Sequence, residues 1–449
     1  MLLIPILLLG LALRLWNFQG LHLSDDLDYA LRAWRLLHHG DLIYDYDEGD
    51  EGNVRIGTFA PVALTYRLFG INHFGLVAYP LAVSLLSIVI VYRLGRNLFG
   101  VAAGLTAATL LACYPLDVAL ASCLLPDVLL SGFSCLAFFM LLTADCGNEQ
   151  SDAPRLSAKW RYLVCGIVLG WCTLVNMSSF VLFLFAAIYF FWSLPGMLRK
   201  TDGSLEWRRL GRIAISRYVL VVLGFILVAG LEEALYFRKT GKFFFKYRAT
   251  YEHFNAPSDV FCKDPWYYPG LMFFVRPGYT FHPPTVDEYS YGYYFLAAVP
   301  AIVFAWMARV RRFHIALLWL LVIVCYLQWG STSFTEYKPL HRLDRHMALA
   351  TPPLVLVLGT GLSAFWPRWT GKVIWCIGVA GLCGSSVFFA HHRHVSWQAL
   401  VAPQQVLHDL CNQHRVQCLY ATPLTILYQK FLDRYDGRPR DYIPIELAK

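Results

Sequence analysis

Uncharged apolar stretches of membrane-spanning length recur along this chain, and they constrain its fold more than any motif does. Runs without Asp, Glu, Lys or Arg cover 1–13, 73–92, 97–116, 128–144, 162–194, 289–308, 313–330, 346–367 and 373–390, and a shorter one opens at Tyr218. About 20 mostly apolar residues cross a bilayer, and lipid tolerates only backbone whose hydrogen bonds close internally. Each run is therefore a candidate transmembrane helix. Composition agrees, with 57% apolar and 15% charged residues against roughly 25% charged in an average soluble domain. A water-soluble enzyme, a disordered chain and a small disulfide scaffold are excluded. A formal charge of +8 would raise nucleic acid in a soluble protein. Here the positions of the basic residues matter more than their sum, and no nucleic-acid partner is expected.

The run 162–194 is too long for one upright helix, and Asn176, Ser178 and Ser179 offer a polar turn at its middle. Read as a hairpin, it gives eleven spans. One side then collects Arg93, Arg96, Arg155, Lys159, Arg161, Arg199, Lys200, Arg208, Arg209, Arg212, Arg217, Arg309, Arg311, Arg312, Arg368 and Lys372, which the positive-inside rule assigns to the cytoplasm. Read as one span, it would put the six-residue basic group outside. The first run lacks a basic flank and a cleavage site, and Arg14 follows it, so a retained span is expected. The external connections are 19–72, 117–127, 238–288 and 331–345, with a tail from 391 to 449.

The expected fold is an all-α polytopic membrane protein of about eleven transmembrane helices with a small extracytoplasmic α/β appendage. Its boundaries are 1–390 for the membrane domain and 391–449 for the C-terminal domain. In the first loop, Asp28 to His38 reads as an amphipathic helix with Tyr29, Leu31, Trp34, Leu36 and Leu37 suited to the membrane interface. The second loop is aromatic (Trp266, Tyr267, Tyr268, Phe273, Phe274, Tyr279, Phe281) and suited to covering a site. The tail reads as helical at 402–411, β-like at Val416–Ala421 and helical at 423–434.

Three polar constellations lie on the outer side. Ser24-Asp25-Asp26-Leu27-Asp28-Tyr29 packs three carboxylates into four residues, whose mutual repulsion raises a pKa toward that of a useful base. The plainer reading is a set of acids at a helix N-terminus with Ser24 as cap. Leu125-Pro126-Asp127 sets an acid in an otherwise uncharged turn, either a helix cap or a second carboxylate of one site. Lys338-Pro339-Leu340-His341-Arg342-Leu343-Asp344-Arg345-His346 places positive charge where the inside rule disfavours it. Lipid phosphate is the natural partner, since Arg offers a bidentate fork and Lys a point charge. Arg55, after the acidic run Asp45 to Glu51, is a further cation of this kind.

Glu232 and Glu233 read as solvated helix-end acids. His22, His253, His282, His341 and His346 form no ligand-spaced cluster, so no metal site is assigned, and the sequence leaves open whether a divalent metal ion is needed. Most cysteines sit in apolar runs as small hydrophobes, whereas Cys411 and Cys418 are spaced to pair in an oxidising compartment. The chain carries no Walker A, Rossmann or GxSxG motif.

The order of these features resembles the GT-C superfamily of integral-membrane glycosyltransferases, close to the protein O-mannosyltransferase and lipid A aminoarabinose transferase-like branch. Asp25-Asp26-Leu27-Asp28-Tyr29 is similar to that family's acidic pair followed by Tyr. Phe59-Ala60-Pro61-Val62 resembles its His/Lys-Pro-Pro-Leu element, although the basic residue is absent here. Val91-Tyr92-Arg93-Leu94-Gly95-Arg96-Asn97-Leu98-Phe99-Gly100 is like the linker between its second and third spans. Leu125-Pro126-Asp127 resembles its Arg-Pro-Asp turn with Leu in place of Arg, and Arg345-His346 its late Arg-Tyr.

The resemblance implies a sugar donor on a polyprenyl phosphate, such as undecaprenyl phosphate. It also implies a hexosyl or pentosyl transfer with inversion to a protein, lipid or glycan hydroxyl, on the extracytoplasmic face of what would be a bacterial inner membrane. On this reading Asp25 is the general base, with Asp26 and Asp127 orienting substrate. Arg345, Lys338 and Arg55 bind the donor phosphate, while Asp28, Tyr29 and His346 line the substrate site. The rival class is a lipid-linked-sugar transporter or flippase, or a non-catalytic lipid-binding homologue. Against transport, the charges gather at one face rather than at mid-membrane, and no paired broken helices are visible.

Overall fold

The computed structural model describes residues 2–22, 24–43, 54–146, 155–198, 217–255, 266–273, 292–331, 337–340, 342–364, 369–435 and 441–444. Its helices begin with α1 (Leu3–Trp16), α2 (Asp26–His39), α3 (Ile56–Phe69), α4 (His73–Phe99), α5 (Val101–Cys113), α6 (Pro115–Leu120), α7 (Pro126–Cys146), α8 (Arg155–Val175) and α9 (Phe180–Leu198). They continue with α10 (Val219–Thr240), α11 (Phe245–Asn255), α12 (Tyr267–Phe273), α13 (Gly292–Met307), α14 (Phe313–Trp329), α15 (Thr351–Ser363), α16 (Trp369–Gln413) and α17 (Pro423–Leu432). Short 3₁₀ turns at Met177–Ser179 and Asp344–Ala350 precede α9 and α15. Among these, α1, α4, α5, α7, α8, α9, α10, α13, α14, α15 and α16 fall on the uncharged stretches read as spans.

Among the described residues, six helical segments are long and apolar enough to cross a membrane: His73–Phe99, Pro126–Asp145, Met177–Leu194, Val219–Thr240, Asp344–Ser363 and Trp369–Gln413. Leu3–Trp16, Val101–Cys113, Gly292–Met307 and Phe313–Trp329 are shorter apolar helices beside them. The chain is an integral membrane protein. The hairpin in 162–194 is present, because Asn176 turns extended and its Oδ1 accepts the Ser178 amide at 2.9 Å, which stops α8 and starts the next turn.

Helix pairing relies on small residues, as expected where lipid supplies no hydrophobic drive between helices. A Cβ on Gly166 of α8 would lie 2.0 Å from the Val221 carbonyl of α10, and one on Gly224 of α10 would lie 2.3 Å from the Leu163 carbonyl. The two backbones are in direct contact at these points.

Four elements meet at Arg14, which is fully buried. Its Nε donates to Ser84 Oγ of α4 at 2.8 Å, its Nη1 to the Gly10 and Ala112 carbonyls at 2.8 and 3.0 Å, and its Nη2 to Asp117 of α6. Ser84 Oγ closes the network on Asp117 at 2.6 Å. A guanidinium at this depth persists only because its donors meet acceptors. The consequence is positional, since α6 leads directly into the turn that carries Asp127.

Two expectations change here. The first-loop helix does not lie on the membrane surface with a free apolar face. Tyr29 is buried in a cluster with Phe59, Val62 and Tyr66 of α3 and Tyr428 and Phe431 of α17, and Trp34, Leu36 and Leu37 pack half-buried against it, so protein covers all of the face assigned to lipid but Leu31. The boundary at 390/391 also falls inside α16, which runs unbroken for 45 residues and holds Pro403 within it. No glycine or loop interrupts the chain at that point, so the C-terminal segment is entered along a continuous helix. Beyond it, β1 (Cys418–Ala421) pairs in parallel with β2 (Asp441–Pro444), register Cys418 to Asp441, with α17 as the crossover. Cys411 and Cys418 are both free thiols.

Replacing Asp117 by Asn leaves Arg14 without its counter-charge. Removing one partner of a buried pair costs about 3–5 kcal/mol, so D117N is expected to melt well below the wild type in detergent. An Arg14→Met/Asp117→Leu double variant is expected to recover much of that loss. Coincident melting curves for wild type and D117N would show that the junction bears no load.

Candidate active site

Three segments distant in sequence converge at the end of the bundle where α2, α7 and the Asp344–Ala350 turn begin. Asp25 sits at the cap of α2, Asp127 in the first turn of α7, and Arg345 at the head of the late turn. Arg345 Nη2 donates to Asp25 Oδ2 at 2.7 Å, and its Nε stands 3.5 Å from Asp127 Oδ2. One guanidinium thus joins the two acids that the sequence placed on the same face. Their exposures differ: the Asp25 side chain is 45% exposed and that of Asp127 6%. Asp25 is the carboxylate an incoming molecule reaches. Asp127 Oδ2 is buried and accepts no hydrogen bond among the described residues, a costly state for a carboxylate oxygen. It lines a narrow cleft with Asn176 and Ser178 from the α8–α9 hairpin, His346, Leu130, Leu327 and Leu349.

The remaining predicted residues divide into two groups. Tyr29 is 2% exposed and accepts from Arg55 Nη1, the residue that caps α3, and its hydroxyl lies within electrostatic reach of Arg345. His346 lies beside Asp127 in the cleft, with Nδ1 3.4 Å from the Tyr268 hydroxyl, which donates to the Leu343 carbonyl at 3.2 Å. These residues join the Asp25–Arg345–Asp127 group. Asp28 instead bridges Arg32 at 2.6 Å along its own helix. Lys338 has its ammonium 5.6 Å from the ring centre of Tyr251, and its amide donates to Ser331 Oγ at 3.0 Å. Phe274, Tyr279, Phe281, His341, His282 and the run Asp45 to Glu51 lie outside the described residues, as does the His253 side chain.

Asp26 is fully buried and takes the plainer of its two roles. Its carboxylate accepts the His22 amide and the Ser24 amide, the latter at 3.1 Å, and so ties the turn that starts α2. Burial pushes its pKa well above the usual carboxylate range and the Asp25 charge adds to this, against the amides that favour the ionised form.

Several residues that matter here gave little signal in the sequence. Glu232, read as a solvated helix end, is buried and 2.7 Å from Lys246 of α11, whose ammonium also reaches the Thr173 carbonyl at the end of α8. Its apolar neighbours Leu231 and Ala234 gave no hint of the partner 14 residues on. Burial lowers the Lys246 pKa, against the pull of Glu232. His22, which had entered only as a metal-ligand candidate, packs its ring 4.6 Å from Trp397 of α16. Burial lowers its pKa, and the positive charges of Arg393 and Arg345 add to this. Among the described residues no three His, Cys, Asp or Glu side chains come together as a metal site. Asp25 and Asp127 both face the Arg345 guanidinium.

The sign of the Asp26 shift sets a pH dependence. A carboxyl whose folded pKa is raised stabilises the fold below its unfolded value, and that contribution is lost as pH rises through the folded value. The melting temperature of the wild type relative to Asp26→Asn is therefore expected to fall from acid to neutral pH. A difference independent of pH would remove Asp26 as the titrating group.

The comparisons with known proteins bear out the resemblance drawn from the sequence. Residues 57–226 match the family described as dolichyl-phosphate-mannose-protein mannosyltransferase. The fold is that of ArnT from Cupriavidus metallidurans, with a TM-score of 0.66 at 14% identity over 99% of this chain and 86% of that one. The same protein bound to undecaprenyl phosphate matches with a TM-score of 0.64 at 14% identity, over 98% and 85%. The Archaeoglobus fulgidus oligosaccharyltransferase AglB, in complex with an inhibitory peptide and a dolichol-phosphate, matches at 0.58 and 13% over 88% of this chain and 55% of that one. No curated protein sequence matches the chain.

Proposed function

We propose that this chain, which has the GT-C glycosyltransferase fold, moves a sugar from a polyprenyl-phosphate donor to an acceptor hydroxyl with inversion, on the extracytoplasmic face of the membrane. The observation that carries the reading is the Arg345 guanidinium set between an exposed and a buried carboxylate. Support for the donor class comes from the family matched over residues 57–226 and from the polyprenyl phosphates bound by the structures of similar fold.

Asp25 takes the proton of the acceptor hydroxyl as its oxygen attacks the anomeric carbon. The bond from that carbon to the phosphate oxygen breaks in the same step, and the electron pair leaves with the lipid phosphate. A single displacement inverts the centre. Arg345 holds Asp25 with one N–H and has further donors in its fork for the phosphate. Arg55, reached through Tyr29, adds a second positive charge where the leaving group gathers its own. Asp127 Oδ2, which faces Arg345 but accepts no hydrogen bond among the described residues, is open to a hydroxyl of the bound substrate, with Asn176, Ser178 and His346 completing that wall. Lys338 is a contact to the donor headgroup from the rim, beside Tyr251.

Sidedness follows from the sixteen basic residues of the opposite connections, which hold that side in the cytoplasm. A bacterial inner membrane suits undecaprenyl phosphate as the carrier.

Mass spectrometry of lipids retained by purified Asp25→Asn protein tests the donor class. A polyprenyl-phosphate sugar is expected, and its mass identifies the sugar. Retention of ordinary phospholipid alone, even after incubation with polyprenyl-phosphate sugars, would overturn the reading. Asp25→Asn is also expected to lower transfer by about 10²–10⁴-fold, the usual contribution of a general base, while donor binding persists. Turnover near that of the wild type would remove Asp25 from the chemistry.

A further inference from the structure

We infer that Arg393 and Trp397, one turn apart on α16, are positioning residues that fix the Asp25–Arg345 ion pair from both of its ends. The inference rests on the proposed donor site and assigns its alignment to a helix that contributes no residue to it.

The first anchor runs through Asp344. Arg393 Nη2 donates to Asp344 Oδ2 at 2.6 Å, and Asp344 Oδ1 accepts the backbone amide of Arg345 at 2.6 Å. One carboxylate therefore ties a guanidinium on α16 to the main chain of the residue whose side chain meets Asp25. The Arg393 side chain is 7% exposed, so this charge-assisted bond is poorly screened.

The second anchor runs through the indole. The Arg393 guanidinium lies 4.8 Å from the centre of the Trp397 ring, and the His22 ring packs 4.6 Å from the same indole. The His22 amide donates to Asp26, and the Ser24 amide joins it there, so the turn that presents Asp25 rests on Trp397. Residues four apart share a helix face. A single turn of α16 thus gauges the distance between the N-terminus of α2 and the Asp344–Ala350 turn. A displacement of about 1 Å at a reacting centre can cost about 10²-fold in rate, which makes such a gauge consequential.

The test is the affinity for undecaprenyl phosphate of the full-length protein in nanodiscs, with each substitution made in the wild-type and Arg345→Ala backgrounds. Arg393→Gln is expected to weaken binding by about ten-fold, the size of a coupling between contacting residues. Arg393→Lys is expected to restore part of it. Asp344→Asn, which keeps the side-chain size, is expected to match Arg393→Gln, and the two losses are expected not to add. In the Arg345→Ala background these effects are expected to vanish. Unchanged affinity in both Arg393→Gln and Asp344→Asn would overturn the inference. So would an equal loss in the Arg345→Ala background, which would mark the contact as a brace of the fold only. A wild-type protein that does not bind undecaprenyl phosphate would instead overturn the donor reading, and this inference with it.

Discussion

A guanidinium cannot remain in the interior of a bilayer protein unless its donors are answered there, and Arg14 is the place where this chain meets that demand. Its partners come from α4, α5 and α6 as well as from its own helix. The network fixes how the end of α1 stands against α4, α5 and α6. From that junction the chain runs one way into the turn of Asp25 and the other way into the turn of Asp127. The relation between the two site acids is therefore set by a polar contact that itself takes no part in the site.

The site repeats the same physics nearer to water. Arg345 faces two carboxylates of unequal exposure, so one cation serves an accessible acid and a sequestered one. The sequestered oxygen lacks a donor among the described residues, and the accessible acid is already oriented. An arrangement of this kind is stable because the charges oppose one another, yet incomplete because one carboxylate oxygen accepts no hydrogen bond among the described residues. Both properties belong to a group prepared for a substrate hydroxyl.

The membrane helices were legible because their signal is composition over a long window. Even the hairpin in 162–194 could be read, since Asn176 and the basic residues after Arg199 both required it. Asp25, Asp127 and Arg345 were legible through local charge in places where lipid-facing chains avoid it, and their shared side followed from counting spans. Harder to read was anything whose partner lies far along the chain on an apolar helix. Glu232 looked solvated because Lys246 sits in a separate helix. Arg393 looked like part of a polar tail because the helix carrying it continues past the membrane. The amphipathic face of α2 was read correctly as apolar and wrongly as lipid-facing, since hydrophobic periodicity shows that a face is buried and does not say against what. Asp26 and Asp25 are adjacent and chemically alike, and only the backbone amides of His22 and Ser24 separate a structural acid from an accessible one.

The continuity of α16 carries a mechanical consequence. At a rise of about 1.5 Å per residue, its 45 residues exceed the thickness of the hydrocarbon core about twofold. The same helix is lipid-facing at one end and packed against α17 at the other, with Pro403 between Trp397 and that contact. Tilt of a span responds to bilayer thickness, and here any tilt is handed on to Arg393 and Trp397, which precede Pro403 on the same helix. Bilayer thickness and the spacing of the charged groups above it are thereby linked through one continuous helix.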